Sequence, residues 1–233
     1  MPLFVLLHSP LVGPATWSPV ANRLARLGHE ATVPSLLAVG DGGPPYWPAV
    51  VAAVMDGIAG AAAGEPLVLV AHSSAGVFVP VIRHALASPV ACSVFADATL
   101  PAEAGDTPVV DTEFLAFLRG LAGPDGRLPR WTDWWPEKEV ASLLPNRDAR
   151  EVVTREQPRL PLAYFQERVP VPDGWDDHAC WYLTFSAAYE GAARQAAGRG
   201  WSVRSLPGGH LHQLADPGGV ASLLLDMAGQ SPS

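Results

Sequence analysis

The chain opens with an unbroken apolar run, Leu3-Phe4-Val5-Leu6-Leu7, set between Pro2 and His8-Ser9-Pro10. A short continuous run bounded by turn formers is the pattern of a strand buried on both faces. The period then changes. Ser18-Pro19 predicts a helix start, with serine as N-cap and proline in the first turn, and Val20, Leu24 and Leu27 form its apolar face up to Gly28. Ala31–Val33 reads as a short strand, residues 35–46 as a Gly/Pro loop, and Trp47 to Ala59 as an Ala/Val-rich helix. Leu67–Ala71 is the next strand, Ala75–Ala87 the next helix and Ala91–Ala96 a further strand. Apolar strands alternating with helices predict a parallel sheet covered on both faces.

That rhythm stops near Leu100 and resumes near Ala179. Between them the spacing predicts helices and no strands: Asp111–Leu121 ending before Gly123, Pro136–Leu144, Asn146–Gln157 and Pro161–Val169. Aromatic side chains crowd into this stretch, among them Phe114, Phe117, Trp131, Trp134, Trp135, Tyr164 and Phe165. Cys180–Phe185 then reads as a strand, Tyr189–Ala197 as a helix and Trp201–Leu206 as the last strand. Asp216-Pro217 caps a closing helix through Val220, Leu223, Leu224 and Met227. The expected organisation is an α/β core in two parts, residues 1–99 and 179–233. It forms a mostly parallel sheet of about six strands with helices on both faces. A helical cap insertion, residues 100–178, splits it.

Composition narrows the class. With 48% hydrophobic residues in 233, the chain is too apolar for disorder and long enough to bury a substantial core. A net charge of −8 gives no electrostatic attraction to nucleic acid or to an anionic membrane. The apolar runs are too short to span a bilayer, and Met1-Pro2 leads into the first strand without a basic leader, so a cytoplasmic protein is expected. Cys92 and Cys180 fit reduced, buried strand positions. No metal and no cofactor are expected: no His/Cys/Asp cluster has ligand spacing, and Gly40–Gly43 and Gly208-Gly209 lack the strand–turn–helix setting of a dinucleotide fingerprint.

The sharpest chemical signal is Leu67-Val68-Leu69-Val70-Ala71-His72-Ser73-Ser74-Ala75-Gly76. A buried strand runs into a small-x-Ser-x-small turn and then a helix. That turn admits only tiny side chains beside a nucleophile, and here Ala71 and Ala75 hold those places. It would lift Ser73 Oγ to the carboxyl end of the strand and aim the Ser74 N–H at a developing oxyanion. A Ser-rich loop capping a helix is the plainer account. Leu206-Pro207-Gly208-Gly209-His210-Leu211-His212 changes the balance, because it places His210 after the last strand, where it can act as general base. His212 is the local competitor, but Gly208-Gly209 favours His210.

With these residues in view, the chain resembles the α/β-hydrolase fold superfamily, in its capped serine-hydrolase (esterase/hydroxynitrile-lyase-like) branch. The resemblance rests on the opening strand ending in His8, the elbow Ala71-His72-Ser73-Ser74-Ala75-Gly76, and Gly209-His210 with Pro217 seven residues on. The order Ser, insertion, His is the family's order, and a start at Leu3 implies that the family's first two strands are absent. The resemblance implies a third, acidic member. Asp97 is the expected acid, because it follows its strand at a separation from Ser73 that suits the family's alternative acid, and Glu190 is the alternative. Glu190 lies near the commoner acid position, but almost directly inside a helix. Two departures stand out. Where the family's second oxyanion N–H is expected, this chain has Pro10, which has none, leaving Leu11 as the replacement donor. The Gly loop after the next strand is reduced to Pro34-Ser35-Leu36. His72 in the elbow, with Trp131 and Trp135 from the insertion, completes the expected binding set; the tryptophans serve either as cavity lining or as glue between insertion and core.

Three functions are compatible with this pattern. The first is a serine hydrolase of esters, thioesters or lactones of a medium-sized, largely apolar small molecule. The second is a lyase- or cyclase-like enzyme using His210 as base. The third is a small-molecule receptor of the same fold.

Overall fold

The computed structural model describes residues 1–60 and 64–230. Its core strands and helices in chain order are β1 (Leu3–Leu7), α1 (Ser18–Arg26), β2 (Ala31–Thr32), α2 (Trp47–Gly57), β3 (Leu67–Ser73), α3 (Val79–Ala85) and β4 (Val90–Ala98). A second group follows: β5 (Gly105–Pro108), α4 (Thr112–Leu121), α5 (Glu137–Ser142), α6 (Arg147–Glu156), α7 (Leu162–Phe165) and β6 (Arg168–Val171). The chain then returns to the core through β7 (Ala179–Thr184), α8 (Glu190–Gly198), β8 (Ser202–Ser205), α9 (His212–Ala215) and α10 (Pro217–Gly229).

The main sheet has the order β2-β1-β3-β4-β7-β8 and every pairing is parallel. Period 2 along the strands sorts their side chains to two faces. Val5, Leu7, Leu69, Ala71, Phe95 and Tyr182 pack with Val50 and Val54 of α2, Ile82 of α3 and Ala193 and Ala196 of α8. Phe4, Leu6, Val68, Val70, Val94 and Leu183 pack with Val20 and Leu24 of α1 and Val220, Leu224 and Met227 of α10. Burial on both faces explains why the strands are apolar at consecutive positions. Each Val, Leu, Ile, Phe or Met side chain among them contributes roughly 1.5–3 kcal/mol when fully buried.

Some local expectations shift. Ser18 is already inside α1, with Trp17 at the cap and the Ser18 hydroxyl donating to Pro14 C=O at 3.0 Å. The helix expected from Ala75 begins as a 3-10 turn, Ser74–Phe78, before α3. Asp111, Asn146 and Asp216 cap α4, α6 and α10 through side-chain bonds to Phe114, Ala149 and Gly219 N–H groups.

The segment between β4 and β7 adds no strand to the main sheet, but it is not wholly helical. β5 and β6 pair antiparallel as a ribbon at its two ends, and the helix expected over Pro161–Val169 is only the short α7, followed by β6. Val169 and Val171 point inward while Arg168 and Pro170 face out, so the true period there is two. The segment is tied to the core at two carboxylates. Glu156, at the end of α6, accepts from Ala15 N–H at 2.8 Å, and Glu167 accepts from Tyr46 N–H at 2.8 Å. Cys92 and Cys180 are free and buried on neighbouring strands, and burial pushes the Cys92 thiol up to about 12.

Candidate active site

Three parallel strands deliver the reactive groups at their carboxyl ends. β3 ends in Ser73, whose backbone sits at φ 57°, a left-handed conformation that costs energy for a residue with a Cβ. The small neighbours make that turn possible. Gly76 lies so near Thr99 that a Cβ there would fall 2.2 Å from the Thr99 carbonyl oxygen. Asp97 is the penultimate residue of β4, also left-handed at φ 41°, and the Tyr182 hydroxyl pins the strand end by accepting from Ala98 N–H (3.1 Å) and donating to Ala98 C=O (2.9 Å). The loop after β8 brings in His210.

His210 Nε2 is 3.1 Å from Ser73 Oγ and its Nδ1 is 3.2 Å from Asp97 Oδ2. An ionised carboxylate only accepts, so Nδ1 carries the proton and Nε2 accepts from the serine hydroxyl. Asp97 is fully buried. Burial alone would raise its carboxyl, but hydrogen bonds from His210, Ser186 and Phe185 outweigh it and hold the group below the usual carboxylate range. The bonds are Phe185 N–H to Oδ1 at 2.7 Å, Ser186 N–H at 3.2 Å and Ser186 Oγ–H to Oδ2 at 2.5 Å. Glu190 is not in this position. Its side chain is 61% exposed and lies 3.7 Å from Arg194 on the outer face of α8. The loop after β7 therefore contributes donors to the Asp97 carboxylate rather than a carboxylate of its own beside His210.

Two rings pack against the imidazole of His210. His72 lies at 4.5 Å between centroids, and Tyr189 stacks on the imidazole at 4.8 Å with the planes 3° apart. His72, expected among the binding residues, is instead buried, and its Nε2–H donates to the His210 carbonyl at 2.8 Å. Burial, with the neighbouring His210 charge, lowers His72 to about 3, so it stays neutral. His8 is likewise buried and lowered to about 4; its Nδ1–H donates to Ser9 C=O while Leu36 N–H donates to Nε2. Both act on the backbone and not on a ligand.

On the oxyanion side, the Ser74 N–H opens the 3-10 turn, where the first N–H groups have no partner within the helix. Pro10 is buried and has no N–H to offer. The Leu11 N–H is already directed to Ser9 Oγ at 3.3 Å, and that hydroxyl is 2.8 Å from Ser74 Oγ. A pair of hydroxyls thus occupies the ground beside the missing donor.

A cavity of about 870 Å³ opens above Ser73 and His210. Leu11, Ser74 and Tyr189 lie at its base, and Phe114, Trp131, Trp134, Trp135 and Phe165 of the segment between β4 and β7 line its far wall. Both tryptophans singled out from sequence, Trp131 and Trp135, reach the cavity, and both also pack against core residues. Among the described residues, no group of three or more His, Cys, Asp or Glu side chains is arranged to hold a metal ion. No described helix is long and apolar enough to cross a membrane.

Residues 4–223 match the model of the alpha/beta hydrolase family. The chain belongs to that family. A search of curated protein sequences finds no match. Among solved structures, an extracellular α/β-hydrolase from a Paenibacillus species superposes with a TM-score of 0.77 at 17% identity, covering 99% of this chain and 100% of that one; it is described as sharing structural and functional homology with tobacco salicylic acid binding protein 2. Polyneuridine aldehyde esterase gives 0.73 at 16% identity over 98% and 99% of the two chains. A pyrethroid hydrolase from Sphingobium faniae JZ-2 gives 0.71 at 19% identity over 97% of each. At these identities the likeness is one of fold.

Tyr189, Ser186, Tyr182 and Ser9 carry no local motif in the sequence. Ser186 and Tyr189 reach the site from the segment after β7, Tyr182 reaches the end of β4 from within β7, and Ser9 reaches Ser74 from the segment after β1.

Proposed function

We propose that the protein is a serine hydrolase of carboxylic esters, with thioesters and lactones as chemically adjacent substrates. Ser73 Oγ attacks the carbonyl, passing its proton to His210 Nε2, while Asp97 fixes the imidazole tautomer and stabilises the imidazolium that forms. His210 then gives the proton to the leaving oxygen, and water repeats the sequence to release the acid. The Ser74 N–H supports the oxyanion. The segment between β4 and β7 serves as the cap, and its aromatic wall suits a medium-sized, largely apolar substrate. The observation that carries the reading is the unbroken chain Ser73–His210–Asp97, at 3.1 and 3.2 Å, at the base of that cavity.

One observation favours a second reading. With Pro10 at the donor position and Leu11 N–H turned toward Ser9, the oxyanion site is short of a backbone donor. Removing one such donor costs roughly 2.7–4 kcal/mol, which proton-transfer chemistry based on His210 would not forfeit. A fluorophosphonate label and a panel of p-nitrophenyl esters separate the two. The hydrolase reading expects Ser73 to be labelled and esters turned over, both lost in Ser73→Ala, with labelling largely kept in Ser74→Ala. Labelling that survives Ser73→Ala would overturn the nucleophile assignment. Labelling of Ser73 without turnover of any ester would favour the non-hydrolytic reading.

A further inference from the structure

Tyr189 has a relationship to the reactive pair that the mechanism above leaves unused. Its hydroxyl oxygen lies 3.4 Å from Ser73 Oγ, while its ring lies parallel to the His210 imidazole. The Tyr189 hydroxyl and His210 Nε2 therefore flank the same oxygen. Tyr189 precedes α8, and the following 3-10-to-α transition fixes its backbone at the carboxyl end of β7. It also lines the cavity, so a bound substrate would meet it.

We propose that Tyr189 is a further catalytic residue, whose hydroxyl donates a hydrogen bond to whichever oxygen is exchanging its proton with His210. This rests on the hydrolase reading and deepens it. In the resting enzyme that oxygen is Ser73 Oγ. Its own proton points to Nε2, which leaves lone pairs free to accept from Tyr189. When Oγ bonds to the acyl carbon, its proton moves to Nε2. The bond from the acyl carbon to the leaving oxygen then breaks, and that oxygen takes the proton from Nε2. During this step the leaving oxygen carries developing negative charge beside the Tyr189 donor. In deacylation, water enters the same place, gives a proton to Nε2 and bonds to the acyl carbon; the bond from the acyl carbon to Oγ then breaks, and Oγ takes that proton back from Nε2. Tyr189 keeps its own proton throughout. Burial raises its phenol above the usual tyrosine range, which agrees with a donor and not a base.

A hydrogen bond to the leaving oxygen matters most when that oxygen is a poor leaving group. Tyr189→Phe keeps the ring stacked on His210 and removes only the donor, so it isolates the hydroxyl. The test is kcat/KM for matched acetates of p-nitrophenol, phenol and a simple alkanol, in wild type and Tyr189→Phe, with thermal unfolding as a check on the fold. The expected result is a loss that grows along that series, from about threefold to about a hundredfold, the range that a single transition-state donor can supply. A loss of equal size on all three esters, or none, would overturn the proposal and leave Tyr189 as packing. If wild type neither turns over an ester nor accepts a serine-directed phosphonate, the hydrolase reading fails and this proposal with it.

Discussion

Asp97 Oδ2 lies 3.2 Å from His210 Nδ1 across 113 positions of the chain, and the same oxygen also accepts the Ser186 hydroxyl at 2.5 Å. The carboxylate is saturated with donors on a fully buried strand end. Asp97→Asn should therefore fold yet lose on the order of a thousandfold or more in kcat, since an amide facing Nδ1 with its NH₂ favours the wrong imidazole tautomer. Glu190→Gln should stay within about twofold, because an exposed i,i+4 pair with Arg194 is worth only a few tenths of a kcal/mol. Steady-state kinetics on the two variants decides this, and a severe Glu190 defect would contradict the assignment of the acid.

His210→Ala and His212→Ala should separate cleanly. His212 is turned away, its Nδ1 placed so that a Cβ on Gly208 would come within 2.1 Å of it, and its ring packs 5.6 Å from Phe185. The first variant should lose about a thousandfold or more in kcat/KM, and the second should lose mainly thermal stability. Equal losses in turnover would reverse the choice between them.

Gly76→Ala tests the elbow's packing. The added methyl would meet the Thr99 carbonyl, a backbone atom that cannot swing aside. A destabilisation of about 1–3 kcal/mol is expected for such overpacking. At roughly 2–4 °C per kcal/mol for a chain of this size, calorimetry should show a clear fall in Tm. An unchanged Tm would mean that the strand-to-helix turn is looser than the contact implies.

Two buried histidines give stability a defined pH dependence. Above pH 6.5 both the folded and the unfolded chain hold His8 and His72 neutral. Below it the unfolded chain takes up protons that the fold refuses until about pH 4 at His8 and about pH 3 at His72. Stability is therefore full above pH 6.5 and falls as the pH drops toward 4. At about 1.4 kcal/mol per pH unit, His8 alone removes on the order of 3 kcal/mol across that window. Urea unfolding from pH 7 to pH 4 should show this slope, and His8→Gln should flatten it. An identical slope in the variant would remove His8 as its source.

The core was legible because its signals are local. Five consecutive buried residues in β1, the tiny neighbours of Ser73 and the glycines before His210 are all readable within a few positions. The β5–β6 ribbon was not. Gly105 and Pro108 hide one strand, and the alternation in Arg168-Val169-Pro170-Val171 lasts for only four residues after a helical stretch. Asp97 could be preferred to Glu190 by its position after a strand and by the helix that takes up Glu190, but the donors that hold it, Phe185 and Ser186, come from another loop and could not be read. His72 shows the opposite failure. Its place next to the nucleophile suggested ligand contact, yet alternation along β3 turns its side chain under the His210 backbone.

Ser73 and Asp97 lie at the carboxyl ends of adjacent strands, the last and the penultimate residue respectively, joined by the β3–β4 ladder and by the Thr99 N–H to Ser73 C=O bond at 3.1 Å. The two side chains are thus two points on one stiff lattice, and their spacing does not depend on the length or sequence of any loop. Only the imidazole rides on a connecting segment. Its ring packs against His72 at 4.5 Å and against Tyr189 at 4.8 Å between centroids. Changes in the segment between β4 and β7 can then remodel the cavity while the alignment of Ser73 and Asp97 is left untouched.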